Sequence, residues 1–545
     1  MYTAEEVIIT YGIHPFDICS RNPDLWDFLK SSYILIFAFS QIIISYFIYS
    51  RILLIFQFLK KSLKKNSKDK DSFLTPNFNS RINLLIGLES DTNSKIYLPE
   101  SGLYQNFLIT GTIGSGKTSS CMYPFTKQLL EFNSNNPKNK IGMLILDVKG
   151  NYYNQVKKYA KNFGLEKDLI VIELLSSVCY NPLHKPNLKP QVLANRLKTI
   201  LLLFSENNTE SYWLDKAEQI LSEAIKLCRL YNNGYVTFDE IHKLITIPTY
   251  YQEKIHILKN LFIHSKFSNS QIYELNTCID FFQKEFFSLD LRTKSILISE
   301  ITRITNTFLS DYDVMNTFSP PLNKLSFLGF EDVLKNGKIV VLNMNISEYA
   351  LLSKMIAAYL KLDFQSEVIS NLSKGFVRTC VFICDEYDKY ATRTDGEFFS
   401  LSREAKCINI VSTQSYSSLK NTLKEDAEVK VILQNLINKI WFRTDDAFTI
   451  EEAQKQLGKE DKEKISKSIS ERAQKTHFSY ITNTLNSENT NISESYSTYL
   501  QRDYIYETQF FTQELETFTA LTFLSDGNKI YPPRKLKMLP YFKNM

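Results

Sequence analysis

No cysteine pair in this chain has the CxxC spacing, and no histidine pair has the HExxH spacing. The eight cysteines and six histidines are scattered. That excludes a zinc-ribbon fold, a zinc-protease centre and a disulfide framework. Cys380 and Cys384 lie in an apolar, strand-like run, so they read as buried free thiols. Strong charge of either sign is also missing. The 64 basic and 59 acidic residues leave a formal charge of +5 in 545 residues. Such a balance permits contact with nucleic acid or an anionic membrane without arguing for either. There is no internal repeat and no recognisable DNA-reading motif. The N-terminus has no basic n-region ahead of a cleavable apolar run, so a removed signal peptide is not expected. With 44% hydrophobic and 23% charged residues, the composition is that of a globular protein of several domains.

What is present centres on Phe107 to Ser120, which contains Gly111-Thr-Ile-Gly-Ser-Gly-Lys-Thr118. An apolar strand runs to Thr110, a glycine loop follows, and a helix is expected from Lys117. This is the G-x-x-x-x-G-K-[ST] phosphate loop. Backbone N–H groups of Gly111, Thr112, Gly114, Ser115 and Gly116 would cradle phosphate oxygens. The following helix start, including Ser119, would add the positive end of its dipole. Lys117 would reach the outer phosphates of ATP, and Thr118 would hold Mg²⁺.

Such a loop needs acidic partners. Val381-Phe-Ile-Cys-Asp385-Glu386 supplies two at the end of an apolar strand. Asp385 is expected at the Mg²⁺ shell, and Glu386 at the attacking water. Asp147 is a rival for the metal role, but the residue after it is Val148, not an acid. Ile408 to Gln414 is a further strand. Gln414 would sense the outer phosphate, or end the strand as a plain amide. Arg403 would reach a nucleotide in a neighbouring subunit, or pair ordinarily at the surface.

Along the chain, residues 1–32 are polar with an acidic bias. Tyr33 to Ser50 carries no charge and would span about 27 Å as a helix, enough for a bilayer core. With its continuation to Leu59 it is expected to anchor the chain (33–59). The lysines from Lys60 to Lys70 open a basic linker (60–80), which puts the downstream chain on the cytoplasmic side of the cell membrane. Residues 81–185 and 319–545 read as an α/β domain around the phosphate loop. Amphipathic stretches from Leu193 to Leu309 read as an all-α insertion, 186–318. Residues 458–505 are polar and are expected to form a helix followed by a mobile loop. Ala520 to Ser525 and Asn528 to Tyr531 are expected to close a terminal hairpin.

With these residues in order, the chain resembles the TraG/TraD-type coupling proteins of type IV secretion, in the FtsK/HerA group of P-loop ATPases. The resemblance runs through the N-terminal apolar segment, Gly111 to Thr118, and the Leu146-Asp-Val-Lys-Gly150 box. It continues through Asn181-Pro-Leu183, Tyr212 to Ala217, Asp385-Glu386, Ser402-Arg403, Thr413-Gln-Ser415, Asn435 to Asp446, and the stretch from Phe511. It implies a RecA-like ATPase domain with an inserted all-α domain behind a single membrane helix. It also implies ATP and Mg²⁺ as cofactors, Arg403 as a residue acting between subunits, and a homo-hexameric ring around single-stranded DNA. Implied partners are a relaxase and the secretion channel. Two other readings are an FtsK-like translocase and a low-turnover membrane receptor for secretion substrates. Too little chain follows Phe511 for the DNA reader expected of the first. The Asp385-Glu386 pair argues against the second.

Overall fold

The computed structural model describes residues 82–543, apart from Val148, 205–210, 265–267, 345–347, 376–377, 472–475, 480–483 and 488–491, together with scattered positions between Asp24 and Tyr49. The expected anchor, 33–59, lies largely outside the described residues, and the linker 60–80 wholly so. Among the described residues no helix is long and apolar enough to cross a membrane. Pro76–Met545 form one compact unit.

The strands of that unit are β1 (Asn83–Glu89), β2 (Lys95–Pro99), β3 (Phe107–Thr110), β4 (Gly142–Leu146), β5 (Leu169–Ile172), β6 (Ile339–Leu342), β7 (Cys380–Cys384), β8 (Cys407–Thr413) and β9 (Asn438–Trp441). After them come β10 (Lys459–Glu471), β11 (Thr476–Ser479), β12 (Thr484–Ser487), β13 (Ile492–Tyr504), β14 (Thr519–Phe523) and β15 (Arg534–Lys537). Eleven of them build one sheet in the order β2-β1-β15-β14-β9-β3-β8-β7-β4-β6-β5. From β9 to β5 neighbouring strands are parallel. The other flank is antiparallel. Parallel strands are covered on both faces, so they read as unbroken apolar runs. Accordingly β3, β4, β6, β7 and β8 are buried at every residue. The thiols of Cys380, Cys384 and Cys407 are among the buried groups, and none is in a disulfide.

Between β5 and β6 the chain leaves the sheet for helices Pro190–Leu203, Ser211–Tyr231, Phe238–Thr246, Pro248–His264, Asn269–Asp280, Leu291–Phe308 and Tyr312–Phe318. Local chemistry sets several of their starts. Thr237, Ser268, Asp290 and Asp311 each accept a backbone N–H of the first turn they precede. Buried Asp363, on the helix Ala350–Ser370 after β6, ties this block to that helix. It accepts from Lys185 at 2.6 Å, Arg196 at 2.9 Å and Tyr180 at 3.1 Å. Burial alone would raise its pKa, but the two cations outweigh that and hold it below the usual carboxylate range.

Two expectations need correction. The described residues between 459 and 504 form strands, not a helix. Lys459 to Glu471 pairs with Tyr504 to Ile492 as an antiparallel ribbon, about 44 Å long at 3.4 Å per residue. Its exposed Ile465, Ile469, Tyr496 and Leu500 carry too few apolar positions to announce a strand. The stability comes from a partner strand that local pattern cannot reveal. The terminal hairpin is also wider than expected. β14 pairs with Arg534–Lys537, while Ile530 makes only an isolated bridge to Ser525.

Candidate active site

The register of the parallel strands gathers the predicted residues. Thr110 of β3 lies beside Thr413 of β8, and Cys384 of β7 lies beside Val411 of β8 and Leu146 of β4. The phosphate loop, Gln414, Asp385-Glu386 and Asp147 therefore all emerge at the carboxyl edge of the sheet. That edge is where open α/β sheets bind ligands.

The loop is closed from behind and open in front. The backbone N–H of Thr112 donates to the Arg443 carbonyl at 2.9 Å, and that of Phe518 donates to the Ser115 carbonyl at 3.1 Å. In front, Ile113 and Gly114 are exposed, and a Cβ on Gly114 would meet nothing within 4 Å. Gly116 is different. It sits at φ +108°, and a Cβ there would lie 2.6 Å from the Phe518 ring. Gly116→Ala should therefore distort the loop, at a strain of about 1–3 kcal/mol. Titration with a fluorescent ATP analogue should show roughly tenfold or greater weakening. Unchanged affinity would show that Phe518 yields and the loop does not depend on this glycine.

Lys117 is buried and folds back over the loop. Its Nζ donates to the carbonyls of Gly111 at 2.5 Å and Thr112 at 3.2 Å. Burial lowers its pKa, although Asp385 and Glu386 nearby favour the charged form. Thr118 Oγ1 donates to Asp385 Oδ2 at 2.8 Å. The other oxygen, Asp385 Oδ1, accepts from the Ser412 hydroxyl and from the Glu386 N–H at 3.1 Å. A hydroxyl and a carboxylate meet here beside a buried ammonium and a glycine cradle. That donor set fits a hydrated Mg²⁺ bound to phosphates.

Asp147 is committed elsewhere. It accepts the backbone N–H groups of Lys149, Asn151 and Tyr152 at 3.0–3.1 Å, opening the helix Tyr152–Asn162. Burial raises its pKa despite those bonds. Of the two acids, Asp385 and not Asp147 meets the Thr118 hydroxyl.

Glu386 has left-handed backbone, φ 52° and ψ 47°, rare for a non-glycine residue and concentrated at functional sites. Its Oε1 meets Lys149 Nζ at 2.6 Å. Sequence reasoning left Lys149 without a role, and the contact crosses from the β4 loop to the β7 loop. Desolvation alone would lower the Lys149 pKa, but the bond and charge of Glu386 raise it. Ser412 and Phe518 were also missed, since neither belongs to a local pattern. Gln414 is half-buried at the site edge.

Arg403 is not brought to this site within the chain. It is exposed in the turn before β8, at the amino edge of the sheet. The seven residues of β8 separate it from the carboxyl edge by roughly 20 Å.

Comparison with known proteins adds three findings. Residues 379–508 match the family model described as the TraM recognition site of TraD and TraG. No curated protein matches the sequence. Among solved structures, the unbound bacterial conjugative coupling protein TrwBdeltaN70 aligns with a TM-score of 0.54 at 14% identity, over 84% of this chain and 88% of that one. TrwB in complex with ADP and Mg²⁺ aligns at 0.53 and 14%, over 82% and 87%. TrwB with the non-hydrolysable GTP analogue GDPNP aligns at 0.54 and 14%, over 82% and 88%. At this identity the likeness is one of fold. Together with the segment match, it bears out the resemblance to conjugative coupling proteins.

Proposed function

We propose that this chain is a membrane-anchored ATPase that couples a DNA–relaxase complex to a type IV secretion channel in conjugation. The observation that carries the reading is the convergence of Lys117, Thr118, Asp385 and Glu386 at one sheet edge, on the fold of the coupling proteins. Lys117, with the loop N–H groups, would bind the phosphates of ATP. Thr118 and Asp385 would hold Mg²⁺, whose charge would offset that developing on the transferred phosphate. Glu386 would accept a proton from the attacking water, and Gln414 would orient that water. The match to the TraM recognition model suggests a relaxosome protein as a docking partner of the segment 379–508. A homo-hexamer around single-stranded DNA remains part of the reading, because phosphate contacts need no base-reading motif. Arg403 acts in it across a subunit boundary, and its exposure leaves it available to a neighbour.

ATP hydrolysis by the purified full chain, with and without single-stranded DNA, tests this reading. Wild-type protein should turn over ATP faster with DNA. Lys117→Ala should reduce hydrolysis to background in both conditions while the protein stays folded. Wild-type turnover in that variant would remove the phosphate-loop assignment. Equal, negligible turnover in both proteins would favour the receptor reading.

A further inference from the structure

The C-terminal stretch returns to the phosphate loop and leaves aromatic rings beside it. The backbone N–H of Tyr541 donates to the Ser119 carbonyl at 2.9 Å, one residue beyond Thr118. The Tyr541 ring meets Tyr123 edge-on, with centroids 5.1 Å apart. Phe542 meets Phe518 edge-on at 5.9 Å, and Phe518 is the ring that closes over Gly116. Tyr541 and Phe542 also meet each other edge-on, at 5.4 Å. In an edge-on pair one ring's edge rests on the other's face, so each contact covers a face of only one of its two rings. Tyr541 is 43% exposed and Phe542 57%, so both keep ring surface open beside the loop.

We propose that Tyr541 and Phe542 form the nucleobase platform of the site, one ring stacking on a purine and the other, nearly perpendicular to it, meeting the purine edge-on, with the phosphates in the Gly111–Thr118 loop. This rests on the phosphate-loop reading and adds to it where the base goes. The occupant follows from continuity. The loop takes one end of a nucleoside triphosphate, and the exposed rings begin at Ser119, where the loop passes into its helix. Every base offers a π face, so stacking of this kind is tolerant of base identity. Adenine and guanine nucleotides should therefore bind alike.

The test compares ligands with and without a base on the full-length protein. Non-hydrolysable ATP and GTP analogues and inorganic tripolyphosphate are titrated against wild type, Tyr541→Ala/Phe542→Ala and Tyr541→Phe/Phe542→Trp. The alanine pair should weaken both analogues about tenfold or more and leave tripolyphosphate affinity unchanged. The aromatic pair should restore both. Unchanged analogue affinity in the alanine pair overturns the platform. Equal weakening of analogues and tripolyphosphate also overturns it, because the tail would then only shape the loop. A strong preference for one purine in wild type overturns its base tolerance. Wild-type protein that binds none of the three ligands removes the phosphate-loop reading itself, and the platform with it.

Discussion

Glu386→Gln should abolish ATP turnover and leave nucleotide bound. The amide keeps the size and planarity of the carboxylate but cannot take a proton from water, which removes about 10²–10⁴-fold in rate. The groups expected to hold the Mg-nucleotide are Lys117, Thr118 and Asp385, and none uses the Glu386 side chain as a partner. The backbone of residue 386 should stay in place, because its N–H is fixed by Asp385 Oδ1 and lies 3.4 Å from the Ser412 hydroxyl. The change does break the ion pair with Lys149. That lysine is 56% exposed, so the loss of stability should stay within about 1 kcal/mol. Single-turnover hydrolysis and equilibrium binding of the same labelled ATP separate the two effects. Affinity that falls in step with turnover would make Glu386 a structural residue and deprive the site of its base.

The parts of this site that could be read from the sequence are those whose chemistry is local. Gly111 to Thr118 is legible because a tight loop, a lysine and a hydroxyl must be adjacent in sequence to surround a phosphate. Asp385-Glu386 is legible because two carboxylates ending an apolar strand stand at a sheet edge. The helices between β5 and β6 were visible in their 3.6-residue periodicity, whereas their capping residues emerge only in the structure. Lys149, Ser412 and Phe518 were not legible, because each reaches the site through strand order in the sheet. The β10–β13 ribbon was missed because both its faces are exposed and the usual alternation is diluted by lysine, serine and glutamate. Arg403 shows the reverse problem. Lying between two site segments in sequence, it is at the far end of β8 in space, since a strand's start and end face opposite edges.

Lys361→Met should be the most damaging single change outside the site, costing about 3–5 kcal/mol. Lys361 and Asp395 are both fully buried, with Nζ 2.8 and 2.7 Å from the two carboxylate oxygens. Lys361 also donates to the Tyr390 carbonyl at 2.6 Å and to Thr392 Oγ1 at 2.9 Å. Asp395 accepts further from Tyr387, Gln365 and Thr392. Methionine fills the space but leaves the buried Asp395 carboxylate without its cation. The damage should reach the active site, because this network holds residues 387–395, the segment directly behind Glu386. Lys361 lies on the helix Ala350–Ser370, and Asp363 lies two residues on, about 200° around it. One face of that helix therefore grips the segment behind Glu386, and the other grips Lys185 and Arg196 at the root of the insertion. Chemical denaturation of the purified protein should show the lower midpoint. Lys361→Met combined with Asp395→Leu should recover much of the loss, since an apolar pair leaves no buried charge. A single variant as stable as wild type, or a double variant no better than the single, would mean that the pair does not hold this segment.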